Sequence, residues 1–324
     1  MTIPLSALVH LGAPLSLSPA EGSAAGLALV PLFPRQAPAL AFLDAASALA
    51  QGALRVAEQS PARVDALELH HTGPLPVLVG EGCLLVGGRQ DRLTLAPAWL
   101  EAGQQAELHV HCVEQARWSP GPRGATFETS RAGPAIRHAL ARGPHEQGET
   151  WRQVRDARQA HGLAPDGSLA ALAPSHDNHR LAPLDHSSDL APLDLPTLPW
   201  GTCGVMVLRA PGLGPTTWPL VEWFADPAAF RGAWPALAAS LLSEHAARLR
   251  HRGLDPRQVR APWVRLSEVV PRLAKVAQAA VVERRPLGPR AQALRLRRQG
   301  ASASLQGWAT RVDGQPVHLG LVHG

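Results

Sequence analysis

The stretch HVHCVEQARW, residues 109–118, sets His109, His111, Cys112 and Glu114 within six positions and follows them with Gln115, Arg117 and Trp118. On a β-strand successive side chains point to opposite faces, so His109 and His111 share one face and Cys112 takes the other. Two imidazoles at i and i+2 can ligate a metal, with His70 or His71 of another strand as third ligand and one position left open. The same histidines also suit the solvent face of a half-buried sheet, with Cys112 in the core as a small hydrophobe. No HExxH, CxxC or spaced carboxylate accompanies them, and no metal is assigned. Past the pair, Glu114, Gln115, Arg117 and Trp118 leave the strand as a carboxylate, an amide, a guanidinium and an aromatic plate. That set suits ribose hydroxyls, a diphosphate and a nucleobase, and Glu58, at the end of another strand, can join it. The alternative is a local Glu114–Arg117 ion pair with Trp118 capping the core.

A second group is VGGRQDR, residues 86–92, where a glycine pair precedes Arg89, Gln90, Asp91 and Arg92. At a strand end such a turn can offer backbone N–H groups and guanidinium forks to a phosphate or carboxylate, or it can be a glycine turn with solvated charges. SHDNH (175–179), with Asp185, His186 and Asp189, is a further metal-type cluster, but its setting among prolines reads first as a polar insert. Walker A, Rossmann GxGxxG and GxSxG patterns are absent.

The elements that must position these residues are short, because 31 prolines and 29 glycines interrupt the 324 residues. GLALVPLFP (26–34) reads as a buried strand and residues 39–52 as a helix stopped by Gly52. From there to Val113 the runs ALRVAEQ, DALELHH, LPVLVG, CLLVGG, RLTLAP and AELHVHCV, split by Pro/Gly turns, have the rhythm of an antiparallel sheet. Helical patterns follow at 132–142 and 147–162, then a Pro/Asp/His/Ser-rich loop over 164–200 with LAPLD twice. Two further strands precede a helix with Asp226 as N-cap, Pro227 at its first position and Gly253 as stop. The C-terminus returns to strands, with DGQ (313–315) as a hairpin turn. The fold class expected is α+β: an antiparallel β-rich N-terminal half, then helices, then a smaller C-terminal α+β part, with segments 1–130, 131–200 and 201–324.

Composition narrows the class. Apolar residues make up 45% and charged ones 18%, as in a globular chain, and lysine occurs once, at Lys275. Three well-separated cysteines (Cys83, Cys112, Cys203) argue against a disulfide framework and for a reducing interior. The start lacks a basic leader and is broken by Pro4 and Pro14, and no apolar run reaches the roughly 18–20 residues a membrane helix needs, so a cytoplasmic location is expected. Residues 241–300 hold 14 Arg and Lys against 4 Asp and Glu, a candidate anion-binding face or a solvated surface.

Several of these segments carry a resemblance. FLDAASALAQGALRVAE (42–58), GGRQDR (87–92), CVEQARW (112–118), the spacing of Phe224, Asp226, Phe230 and Trp234, and VDGQPVHLGLV (312–322) together resemble the family of ARG- and rhodanese-phosphatase-associated proteins. That family, bacterial and archaeal and named for neighbouring ADP-ribosylglycohydrolase genes, has a predicted role in NAD and ADP-ribose processing. The resemblance runs in order from about residue 26 to the C-terminus and is weakest in 164–200 and 255–290. Relatives carry two glutamates where this chain has Cys83 and Leu84, which implies a binding-only member unless Glu81 substitutes. Cys112, Glu114, Gln115, Arg117 and Trp118 match the family pattern, whereas His109 and His111 do not, which counts against a family metal site there.

The resulting expectation is a protein that binds or processes an ADP-ribose- or NAD-like nucleotide. Arg89, Arg92 and Arg117 hold phosphate, Gln90, Gln115 and Glu58 add ligand contacts, Glu114 or Glu81 acts on ribose or as base, and Trp118 stacks on the base. The expectation from another class is nucleic-acid binding or interaction through Arg284, Arg285, Arg297 and Arg298, with an affinity that falls steeply with salt. No cofactor is assigned, and a sheet edge such as QPVHLGLV could pair two copies in a dimer.

Overall fold

The computed structural model describes residues 5–17, 26–115, 117–121, 124–142, 146–172, 196–209, 220–255, 258–259, 267, 269–271, 279–299 and 304–323. The chain begins with α1 (Leu5–Leu8), β1 (Val9–Leu11), β2 (Leu15–Ser16) and β3 (Leu27–Pro34). Its middle carries β4 (Leu43–Asp44), α2 (Ala45–Ala50), β5 (Leu54–Glu58), β6 (Ala66–His71), β7 (Val77–Val79), β8 (Cys83–Gly87) and β9 (Arg92–Thr94). β10 (Ala98–Leu100), β11 (Gln105–Cys112), β12 (Phe127–Arg131), α3 (Pro134–Leu140) and α4 (Gln147–Ala160) follow, then a 3₁₀ turn at Leu169–Leu172. The last part comprises β13 (Gly204–Arg209), β14 (Leu220–Phe224), α5 (Pro227–His251), β15 (Ala280–Pro286), β16 (Ala291–Gln299), β17 (Ser304–Val312) and β18 (Gln315–His323). The class is α+β, with strands crowded into the N-terminal half and, among the described residues, every strand pairing antiparallel except β4 with β7. Among the described residues no helix is long and apolar enough to cross a membrane.

Contacts gather these elements into two compact units that do not follow chain order. One comprises residues 42–195 with 232–243, and the other 1–41 with 196–231 and 244–324. The unit of residues 42–195 holds a six-stranded sheet in the order β12-β8-β9-β11-β6-β5 and a three-stranded sheet β10-β7-β4. Alternation along β5, β6 and β11 sends Leu54, Val56, Leu67, Leu69, Leu108 and Val110 into one core, shared with α2 and β7. Leu84 and Leu93, on the opposite face of β8 and β9, pack with Ile136 and Leu140 of α3 and Val154 of α4. Central strands covered on both faces read as unbroken apolar runs, as CLLVG does. Each large aliphatic chain so buried contributes about 1.5–3 kcal/mol.

The other unit is built on a nine-stranded sheet, β1-β3-β13-β14-β18-β17-β16-β15 with β2 beside β3, so the first strands of the chain complete the sheet made by the last. Its core takes Val30, Leu32, Met206, Val221, Leu294, Leu319 and their neighbours from one face. Asp313 (φ 49°) and Gly314 (φ 77°) both lie in the left-handed region at the β17–β18 turn, as a two-residue hairpin of matching twist requires. Asp226 caps α5 by accepting the Ala228 N–H at 2.8 Å, with Pro227 at the first position. Residues 227–231 and 244–251 of that helix count with this unit and 232–243 with the other. All three cysteines are free and buried.

Candidate functional site

β9 and β11 run antiparallel in the centre of the six-stranded sheet, with Cys112 opposite Arg92, so the turn 87–91 and the segment after Cys112 emerge side by side. The turn depends on its glycines. Gly87 has φ 137°, and a Cβ there would stand 2.0 Å from the Thr126 carbonyl oxygen. Gly88 has φ 55°, and a Cβ there would meet Phe127 at 2.2 Å and Glu58 Oε1 at 2.7 Å. Only a residue without a side chain lets the loop lie on β12 and on the end of β5 this closely.

Asp91 is the hub of the turn. Its Oδ1 accepts the Gly87 N–H at 2.9 Å and an Arg117 N–H at 3.2 Å, and its Oδ2 accepts the Ser168 hydroxyl. Burial, the largest influence, pushes the Asp91 carboxyl above its ordinary range, and the Ser168 and Gly87 bonds oppose it. Arg117 pairs with Glu114 at 2.6 Å and also donates to the carbonyls of Gly88 (2.7 Å) and Ser119 (2.9 Å). Hydrogen bonding to Glu114 raises Arg117 further above the usual guanidinium value. Glu114 in turn accepts the Asp91 N–H at 3.2 Å, and Gln90 donates to the Glu114 carbonyl at 3.1 Å. Arg117 with its fork and Glu114 with its Oε2 therefore hold the two segments together. The local ion pair, one of the two expectations for them, is what is built.

Arg92 is different. It is 0% exposed, and its Nε and both terminal nitrogens have no hydrogen-bond partner among the described residues. Its guanidinium lies 5.5 Å from the centroid of Trp118, and that of Arg89 lies 5.7 Å from the same ring. Trp118 is 41% exposed, so it does not cap a core; it stands at the surface with both guanidiniums near its ring. Glu58 Oε1 accepts the Arg89 backbone N–H at 2.7 Å, while its Oε2 is buried without a partner. Burial drives the Arg92 pKa down, and Glu58 is the strongest opposing influence.

The other sequence candidates lie apart from this group or at its edge. Glu81, 2% exposed, pairs with Arg137 of α3 and Arg131 of β12 and shares no bonded partner with Glu114. Gln115 is exposed at the strand's exit. His109 is exposed beside Glu107, whereas His111 is buried with Nδ1 2.6 Å from the Thr150 hydroxyl, because α4 covers that end of β11. Both ring nitrogens of His71 lie 2.8 Å from backbone carbonyls, of Ala53 and Leu75. Among the described residues no group of three or more His, Cys, Asp and Glu could hold a metal. The SHDNH cluster lies outside the described residues.

Sequence reasoning gave Asp91 no site role and missed Ser168 and Gln147, which brackets the Cys112 backbone at 2.9 and 2.7 Å. Ser168 lies 77 residues from Asp91, and no local pattern announces the pairing. Of the basic candidates, β15–β16 register puts Arg284 opposite Leu294 and Arg285 opposite Ala293, on opposite faces. Arg297 and Arg298 are likewise divided by strand alternation. The four arginines thus form two pairs, one on each side of the sheet.

The family model for the ARG and Rhodanese-Phosphatase-superfamily-associated Protein domain matches residues 17–322. Nothing among the curated proteins or the solved structures matches the chain.

Proposed function

The chain belongs to the ARG and Rhodanese-Phosphatase-superfamily-associated Protein domain family, and from that premise we propose that it binds an ADP-ribose- or NAD-like nucleotide where Arg89, Arg92 and Trp118 meet. One observation carries the reading: a wholly buried guanidinium, Arg92, with none of its nitrogens bonded among the described residues. Burying a charge without partners costs several kcal/mol, an expense a fold retains where something outside the chain completes the bonding. An anionic ligand answers that need, because a phosphate offers several acceptors to the planar fork. Arg89, exposed and also over the Trp118 ring, supplies a second cation for a diphosphate. The exposed indole offers a stacking face for a base, worth about 1–3 kcal/mol in comparable recognition. Glu114, Arg117 and Asp91 then serve as the frame that fixes the turn. Three buried free thiols suit a reducing compartment such as the cytoplasm.

Thermal unfolding with and without ADP-ribose or NAD tests the reading. A ligand at about 100 times its Kd adds about 2.7 kcal/mol of stability, so the midpoint of the wild-type protein should rise clearly. Arg92→Met should fold and lose that response. No rise in the wild type with either ligand at millimolar concentration would overturn the proposal.

A further inference from the structure

We infer that Glu58 is a diol-reading subsite: its free carboxylate oxygen recognises the vicinal hydroxyls of a ribose carried by the ligand whose phosphate pairs with Arg92. The inference rests on the nucleotide-binding reading above and narrows it to ligands with an intact 2′,3′-diol. The argument begins with what remains unbonded. Within the turn and the strand ends beside it, Arg92 presents only donors, while Glu58 Oε2 and Gln90 Oε1 are buried acceptors without partners among the described residues.

A bare phosphate or diphosphate brings acceptors alone. It would satisfy Arg92, leave both buried acceptors empty and set negative charge beside the Glu58 carboxylate. A vicinal diol brings two O–H donors that a carboxylate accepts, and its oxygen lone pairs remain available to a guanidinium. A ligand with phosphate and diol together is therefore the chemistry that pairs every one of these groups.

The carboxylate is also placed for recognition. Its other oxygen is anchored by the Arg89 N–H at 2.7 Å, and the side chain is crowded by Gly88, where a methyl group would stand 2.7 Å from Oε1. One oxygen is held by the loop and the other is buried without a partner among the described residues, so the carboxylate is fixed before ligand arrives, which lowers the ordering cost of binding. The Glu58 charge also acts on Arg92, as the largest influence opposing its burial. They can share one ligand, the first at hydroxyls and the second at phosphate.

The experiment is titration calorimetry on the full chain with ADP-ribose, 2′,3′-dideoxy-ADP and inorganic pyrophosphate, repeated on Glu58→Gln. That variant keeps the side chain's size and an oxygen for the Arg89 N–H, and an unchanged thermal midpoint establishes its folding. A hydrogen bond to a charged group is worth about 1.5–3 kcal/mol, so ADP-ribose should weaken roughly 10–100-fold in Glu58→Gln. Pyrophosphate should bind the variant as well as the wild type or better, and dideoxy-ADP should be indifferent to the change. Equal weakening of all three ligands, or no weakening of ADP-ribose, would overturn the diol assignment while leaving the nucleotide reading standing. Absence of any binding to the wild type would overturn both.

Discussion

Arg92 and Asp91 are adjacent in sequence and opposite in circumstance: one carboxylate saturated with donors, one guanidinium with no acceptor among the described residues. Since burial outweighs Glu58 in its effect on Arg92, the cation costs the ligand-free fold more than its neighbour returns. Arg92→Met, similar in length and apolar, is therefore expected to stabilise the ligand-free protein by about 1–3 kcal/mol in urea unfolding while abolishing the ligand response. A variant that lost stability would mean that Arg92 is structural. Asp91 makes a pH prediction. Its folded pKa is raised above the unfolded value, so its stabilising contribution is complete below about pH 4 and is lost as pH rises through the folded value. Measured by urea unfolding, the stability of Asp91→Asn relative to wild type should shift in the variant's favour between about pH 4 and pH 7. A shift in the opposite direction would show that the Ser168, Gly87 and Arg117 contacts outweigh burial.

Elements turn these residue facts into geometry. The two strand ends that carry the candidate site were legible as GGRQDR and CVEQARW, because glycine pairs and strand-exit polar residues leave a local signature. Which arginine would be left unbonded was not legible. Arg92 and Arg117 look alike in sequence, and only the register that sets Arg92 opposite Cys112 buries one and leaves the other to Glu114. Cross-strand placement does the same in the nine-stranded sheet. There His318 of β18 lies opposite Phe224, and its Nε2 stands 2.9 Å from Glu222 Oε1 with both residues essentially inaccessible. Removing His318 takes a hydrogen-bond partner from the buried Glu222 carboxylate. His318→Leu should cost about 3–5 kcal/mol in chemical unfolding, and adding Glu222→Leu should recover much of it. Additive losses in the double variant would show that the two side chains do not act as a pair.

For the whole molecule, the thiols and the charge both depend on burial that no composition count reveals. Cys83 and Cys203 are each pushed up to about 12 by burial, and Cys112 is 0% exposed. A disulfide-exchange reagent at about pH 8 should find no thiol in the native protein and all three after denaturation, since the thiolate is the reactive form. Fast native labelling of any one would place it at a surface. Four of the arginines in the basic stretch 241–300 show the reverse case, a run plain in the sequence that strand alternation divides, because it sends Arg284 and Arg285 to opposite faces of one strand and Arg297 and Arg298 to opposite faces of another. By itself the sequence determined the α+β class, the capped helix at Pro227–His251, the Asp313–Gly314 hairpin and the family, because caps, turns and periodicity are written within a few residues of each other. Only the tertiary structure decided that the first strands close the sheet of the last, that α4 buries His111 while His109 stays in water, and that Arg92 is the arginine left without an acceptor. Those outcomes rest on pairings between residues far apart in the chain, and burial and hydrogen bonding are properties of such pairings, not of any single segment.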